Sequence, residues 1–91
     1  MLHHAIAEEI NRRIRAGELE TTVADIEHTV KAKHPHRRGY GARVRDTLIH
    51  GQSQVWGAMA LGTYLYVDAD TERVRFGRRS PHPESVTAQG L

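Results

Sequence analysis

The chain has 91 residues, 38% of them hydrophobic and 26% charged, with a net charge of +2 and no cysteine. A chain of this length supports one hydrophobic core and not two, and its composition, with a mean hydropathy of −0.58, is that of a folded domain rather than a disordered segment. The lack of cysteine excludes a disulfide framework, a thiolate zinc site and a cysteine nucleophile.

Leu2, Ile6, Ile10 and Ile14 recur at four-residue steps. They predict a first helix over about residues 3 to 16, with this stripe in the core, charges on the other face and Gly17 closing the last turn. His3, His4, Glu8 and Glu9 occupy the region where a signal peptide needs an apolar run, so the chain is read as cytoplasmic. Thr22 followed by Asp25 has capping-box spacing and starts a second helix near Val23. Val23, Ile26 and Val30 share one face of it, and His34-Pro35 ends it because proline disfavours helical geometry in the residue before. Pro35 to Gly39 then link to a third helix, Tyr40 to His50. Tyr40, Val44, Thr47 and Leu48 form its apolar side, Arg43, Asp46 and His50 face the other way, and Gly51 stops it.

Gln52 to Ala60 fits either a short helix or a buried extended segment, since Val55, Trp56 and Met59 suit both. The most apolar stretch, Val55 to Val67, is broken by two glycines, Thr63 and two tyrosines, well short of the roughly 20 residues of a membrane span. Leu61 to Val67 is rich in β-formers and alternates, Arg73 to Phe76 alternates as well, and Asp68 to Glu72 carries turn chemistry between them: a hairpin. From Gly77 onward the pattern is lost. Residues 1–77 are therefore expected to form one domain and residues 78–91 a flexible tail.

Charge is segregated along the chain. Residues 1–30 hold three arginines against six acids, and residues 51–72 hold three acids and no Lys or Arg. Residues 31–50 hold six Lys or Arg against Asp46 alone, and residues 73–91 hold four arginines against Glu84. A positive side on a small domain points to a polyanionic partner.

Three helices followed by a β-hairpin resemble the layout of a winged helix-turn-helix DNA-binding domain, with Thr22 to His34 as second helix, Tyr40 to His50 as recognition helix and Leu61 to Phe76 as wing. The resemblance implies an α+β fold and a non-enzymatic, cofactor-free regulator that recognises double-stranded DNA. Helix three would enter the major groove, and the wing would lie on the backbone or minor groove. On that reading Arg43 is the base-reading candidate, with Arg38, Tyr40 and Asp46 or His50 beside it. Lys33, Arg37 and Arg45 are phosphate contacts, and Lys31 belongs to the same basic group. Arg73 and Arg75 project from one face of the wing's return strand, where an arginine can enter the minor groove.

Each assignment has a plainer counterpart. The basic group is otherwise a solvated surface, and charges on an exposed edge strand also deter strand-to-strand pairing. Tyr64 and Tyr66 either pack over the first helix while Leu65 meets the third, or form a homodimer interface together with Trp56 and Met59. His34-x-His36 with His28 or His50 offers imidazole ligands, but no second pair has ligand spacing and no metal site is expected. Two alternatives remain to the DNA-binding reading. One is a protein-interaction module using Trp56, Tyr64 and Tyr66 or the basic face; the other is a metal-independent ribonuclease built from His36, Arg38, His50 and a carboxylate.

Overall fold

The computed structural model describes residues 1–79. In chain order the elements are α1 (Leu2–Arg15), β1 (Glu20–Thr22), α2 (Val23–Lys33), α3 (Tyr40–His50), α4 (Gln52–Ala58), β2 (Thr63–Asp68) and β3 (Arg73–Arg78). The result is an α+β domain with winged-helix-like element order: four helices and an antiparallel sheet of order β1-β3-β2, closed by a C-terminal hairpin. Two elements go beyond the three helices and hairpin expected from sequence. The short strand β1 pairs with β3, Glu20 opposite Arg75 and Thr22 opposite Arg73, and Gln52–Ala58 is a helix, which settles that segment against the extended alternative.

The helical stripes form the core. Leu2, Ile6, Ile10 and Ile14 of α1 meet Val23, Ile26 and Val30 of α2, Val44 and Leu48 of α3, Val55 of α4, and Leu65, Val74 and Phe76 from the inner face of the sheet. The Gly17 N–H donates to the Ile14 carbonyl and the Glu18 N–H to the Arg13 carbonyl, both at 3.0 Å. This is the paired closure that a left-handed residue makes at a helix end, and Gly17 has a φ of 87°. At α2 only half of the expected capping box forms. The Asp25 N–H donates to Thr22 Oγ1 at 3.1 Å, while the Asp25 carboxylate turns to Thr21 and Arg13 instead.

Several expectations are corrected. α1 does not keep its charges on the solvent face, because Glu9 is 1% and Arg13 6% exposed. Residues 9 and 13 fall on the same helical face as Ile6 and Ile10, so folding carries them inward with the stripe. The tyrosines do not lie over α1. Tyr64 and Tyr66 alternate with the buried Leu65 and therefore occupy the outer face of the sheet, where the Tyr64 ring covers Gly77 and Tyr66 is 54% exposed. β3 continues through Arg78, so the wing is longer than a strand ending at Phe76, and from Ser80 onward the expected tail lies outside the described residues.

α4 secures the sheet's edge. Gln52 donates from Nε2 to the Leu65 carbonyl at 3.2 Å and accepts at Oε1 from the Val67 N–H at 3.1 Å. One side-chain amide thus satisfies backbone groups that an edge strand otherwise leaves open. Trp56 Nε1 donates to the Thr63 carbonyl at 2.9 Å, which ties the indole to its own fold. Among the described residues no helix is long and apolar enough to cross a membrane.

Candidate functional site

α2 ends at Lys33, with His34 out of helical geometry (φ −129°, ψ 60°) before Pro35, and the chain crosses to α3 through Gly39, whose φ of 86° lies in the left-handed region. This crossover and the helices beside it enclose an open cleft of about 800 Å³. Lys31, Arg37 and Arg38 supply its cations, His28 and His34 its imidazoles and Glu27 its one carboxylate. Small residues, among them Gly39, Gly41 and Ala42, line the start of α3, so backbone can be approached closely there. The Lys31 stem lies against Gly41, its Cδ 3.1 Å from where a β-carbon would stand, which steers the ammonium along the cleft.

The candidates divide by whether an acid already holds them. Arg37 lies 5.9 Å from the centre of the Tyr40 ring, and that ring stands 5.5 Å from His34 while packing partly against the core. Arg38 lines the cleft and Arg43 is exposed on the outward face of α3, its Cδ near Gly39. Among the described residues Lys31, Arg37, Arg38 and Arg43 make no ion pair. The other candidates do. Lys33 Nζ donates to Glu9 Oε1 at 3.0 Å, Arg45 pairs with Glu72 of the wing turn, and His50 Nε2 lies 3.9 Å from Asp46. Arg73 pairs with Glu20 on β1, and Arg75 Nε approaches the same carboxylate at 3.8 Å.

A second, separate cleft of about 560 Å³ lies on the outer face of the sheet, lined by Glu20, Tyr66, Asp68, Thr71, Arg73 and Arg75. No residue is shared between the two clefts. Asp68 accepts from the Asp70 and Thr71 N–H groups, and these backbone bonds hold its carboxyl below the usual range. The wing turn therefore carries a stable negative charge.

A buried ionic network centres on Glu9 and Arg13 of α1. Burial disfavours the Glu9 charge, yet hydrogen bonds from Arg12, Lys33 and Arg13 overcome it and hold the carboxyl down at about 2. Arg13 reaches Glu9, Glu18, Thr21, Asp25 and Thr29 from one guanidinium, joining α1 to β1 and α2. Burial opposes the Arg13 charge, but Asp25 and Glu9 outweigh it and raise its pKa. Thr21 and then Arg13 lower that of Asp25. Through the Lys33–Glu9 pair this network also ties the last residue of α2 to α1.

The residues considered for other chemistry do not converge. His36 and Arg38 sit in the crossover loop, whereas His50 ends α3, an eleven-residue helix about 16 Å long. Among the described residues no three His, Asp or Glu side chains gather as metal ligands would. Sequence reasoning missed Glu27 and His28 as parts of the cleft, although with Lys31 they recur at three- and four-residue spacing on one face of α2. Compared with known proteins, the chain matches no family model, no curated protein and no solved structure.

Proposed function

We propose that this domain is a double-stranded DNA-binding regulator whose α3 enters the major groove. The observation that carries this reading is the set of four cations without an ion pair among the described residues, Lys31, Arg37, Arg38 and Arg43, gathered around the start of α3. Within residues 31–50 the other two cations, Lys33 and Arg45, are already paired with acids, so these four are the ones of that block free to exchange counterions for phosphates. Arg43 projects from the outward face of α3 with Asp46 and His50 further along it. An arginine so placed can donate two hydrogen bonds to guanine O6 and N7, and a carboxylate can accept from cytosine N4.

Titrating the protein into a random duplex library at several salt concentrations tests the proposal. With three to four phosphates neutralised, log K falls against log salt with a slope of about −3 to −4. An affinity that does not fall as salt rises overturns it. Arg43→Ala is expected to relax discrimination at one base pair by about 1 to 3 kcal/mol while leaving non-specific binding nearly intact.

The ribonuclease reading requires His50 to meet His36 or Arg38 across the length of α3. The interaction-module reading leans on Trp56, which is already hydrogen-bonded to Thr63. Tyr66 stays 54% exposed, and an acidic protein could use the same cations, so the salt titration is run beside a pulldown from nuclease-treated extract, in which partners that survive nuclease favour the module.

A further inference from the structure

In the layout this chain resembles, the hairpin wing is expected to touch the duplex. We infer that here it does not: one phosphate strand lies along the α2–α3 cleft, and the hairpin acts as a strap that positions α3 while standing off the nucleic acid. The inference rests on the duplex-binding reading and specifies which surface carries it.

Charge is the first argument. The outer sheet face and the wing turn present four carboxylates, Glu20, Asp68, Asp70 and Glu72, against three guanidiniums, Arg45, Arg73 and Arg75, while Arg78, without an ion pair among the described residues, stands at the far end of β3 from the turn, beside Arg15 and Thr63. Each of the first three guanidiniums already faces a carboxylate, Arg45 facing Glu72 and both Arg73 and Arg75 facing Glu20. A phosphate brought to this face would have to break existing ion pairs and would meet the turn acids directly. The α2–α3 cleft has the opposite balance, Lys31, Arg37 and Arg38 against Glu27 alone, with Arg43 at its edge.

Connectivity is the second. The Glu72 carbonyl accepts from the Val23 N–H at 2.9 Å, at the first residue of α2, and the Glu72 side chain holds Arg45 of α3. The wing turn thus reaches both helices that form the cleft. These contacts use the last residue of the hairpin turn, directly before β3, so the base of the wing is held against both helices. Glu72 has a φ of 58°, a left-handed conformation in a non-glycine residue, which fits a position held in place by its neighbours.

The test uses a charge-conserving substitution, so that a change in the overall field cannot mimic a lost contact. In Glu20→Gln/Asp68→Asn/Arg73→Gln/Arg75→Gln two acids and two bases are removed together, and the asparagine keeps the acceptor that caps the turn. Duplex affinity is measured against salt for the parent, for this variant and for Arg37→Gln/Arg38→Gln, with a thermal melt confirming that each is folded. The sheet variant is expected to keep the parental slope and an affinity within about twofold. The loop variant should lose about 2 from the magnitude of the slope and at least tenfold in affinity at about 0.1 M salt. A slope that also falls by 1 or more in the sheet variant places Arg73 or Arg75 on phosphate and overturns the inference while leaving duplex binding standing. A parent protein that binds no duplex overturns both.

Discussion

Replacing Glu9 by glutamine removes a single charge from the interior. The carboxyl is 1% exposed and accepts hydrogen bonds from Arg12, Arg13 and Lys33 at 2.7 to 3.0 Å. Its pKa falls from 4.5 to about 2 on folding, which corresponds to roughly 3 kcal/mol of stability at neutral pH. Breaking a buried ion pair by removing one partner costs about 3 to 5 kcal/mol in general, so the two routes agree. A domain of this size has roughly 5 to 15 kcal/mol in hand, and a loss near 3 lowers Tm by about 12 to 24 °C. The sign of the pH dependence follows from the depressed value. The contribution is complete above the unfolded pKa near 4.5 and is lost as pH falls toward 2. Urea unfolding of parent and Glu9→Gln proteins should therefore show a gap of roughly 3 kcal/mol at pH 7 that narrows steadily below about pH 4.5. Asp68, also depressed but outside this network, affects both proteins alike and cancels in the difference, whereas Asp25 shares Arg13 with Glu9 and can recover part of the loss. A gap under about 1 kcal/mol at pH 7, or one unchanged between about pH 5 and 3, would refute the assignment of that stability to the Glu9 charge.

Three further outcomes follow from the same geometry. Arg13→Lys should cost about 2 to 4 kcal/mol by denaturant melt despite keeping the charge, because an ammonium cannot reach the five partners that one guanidinium spans. Gly77→Ala should cost about 1 to 3 kcal/mol, since a β-carbon would stand 2.8 Å from Tyr64 Cε2, and in a double-mutant cycle Tyr64→Ala should recover most of that loss. Gln52→Ala should lose about 1 to 3 kcal/mol by leaving two backbone groups of β2 without their partner, and light scattering on heating should show more aggregation because the sheet edge is opened.

Helical periodicity made much of this architecture legible. The α1 stripe, the Thr22 cap, the stop at Pro35 and the inward alternation of Val74 and Phe76 are each set by residues within a few positions of one another. β1 was not legible, because three residues carry no periodicity and its pairing depends on a partner more than fifty positions away. α4 is two turns long and contains Gly57, too little for a pattern. The candidate site was half legible for a related reason. Block charges located the basic loop and helix, but they could not show that Glu9, Glu72 and Glu20 from the acidic blocks would fold onto Lys33, Arg45, Arg73 and Arg75. Among the described residues, segregation along the chain is thus partly cancelled in space: the residues around the start of α3 and Arg78 at the end of β3 keep an unpaired positive charge, while Lys33, Arg45, Arg73 and Arg75 do not.

The pairing of β1 with β3 also bears on how the chain reaches this state. Glu9, Arg13, Asp25 and Lys33 lie within the first 33 residues, and the β2–β3 hairpin closes over a turn of four residues, so each half is assembled from near neighbours. Joining them requires Glu20 to find Arg75, the longest loop in the sheet. Loop-closure entropy opposes that step until both halves offer formed surfaces. β1 is accordingly the seam of the fold: three residues whose docking turns a helical pair and a hairpin into one cooperative unit, with a rate set more by the intervening chain than by the strand itself.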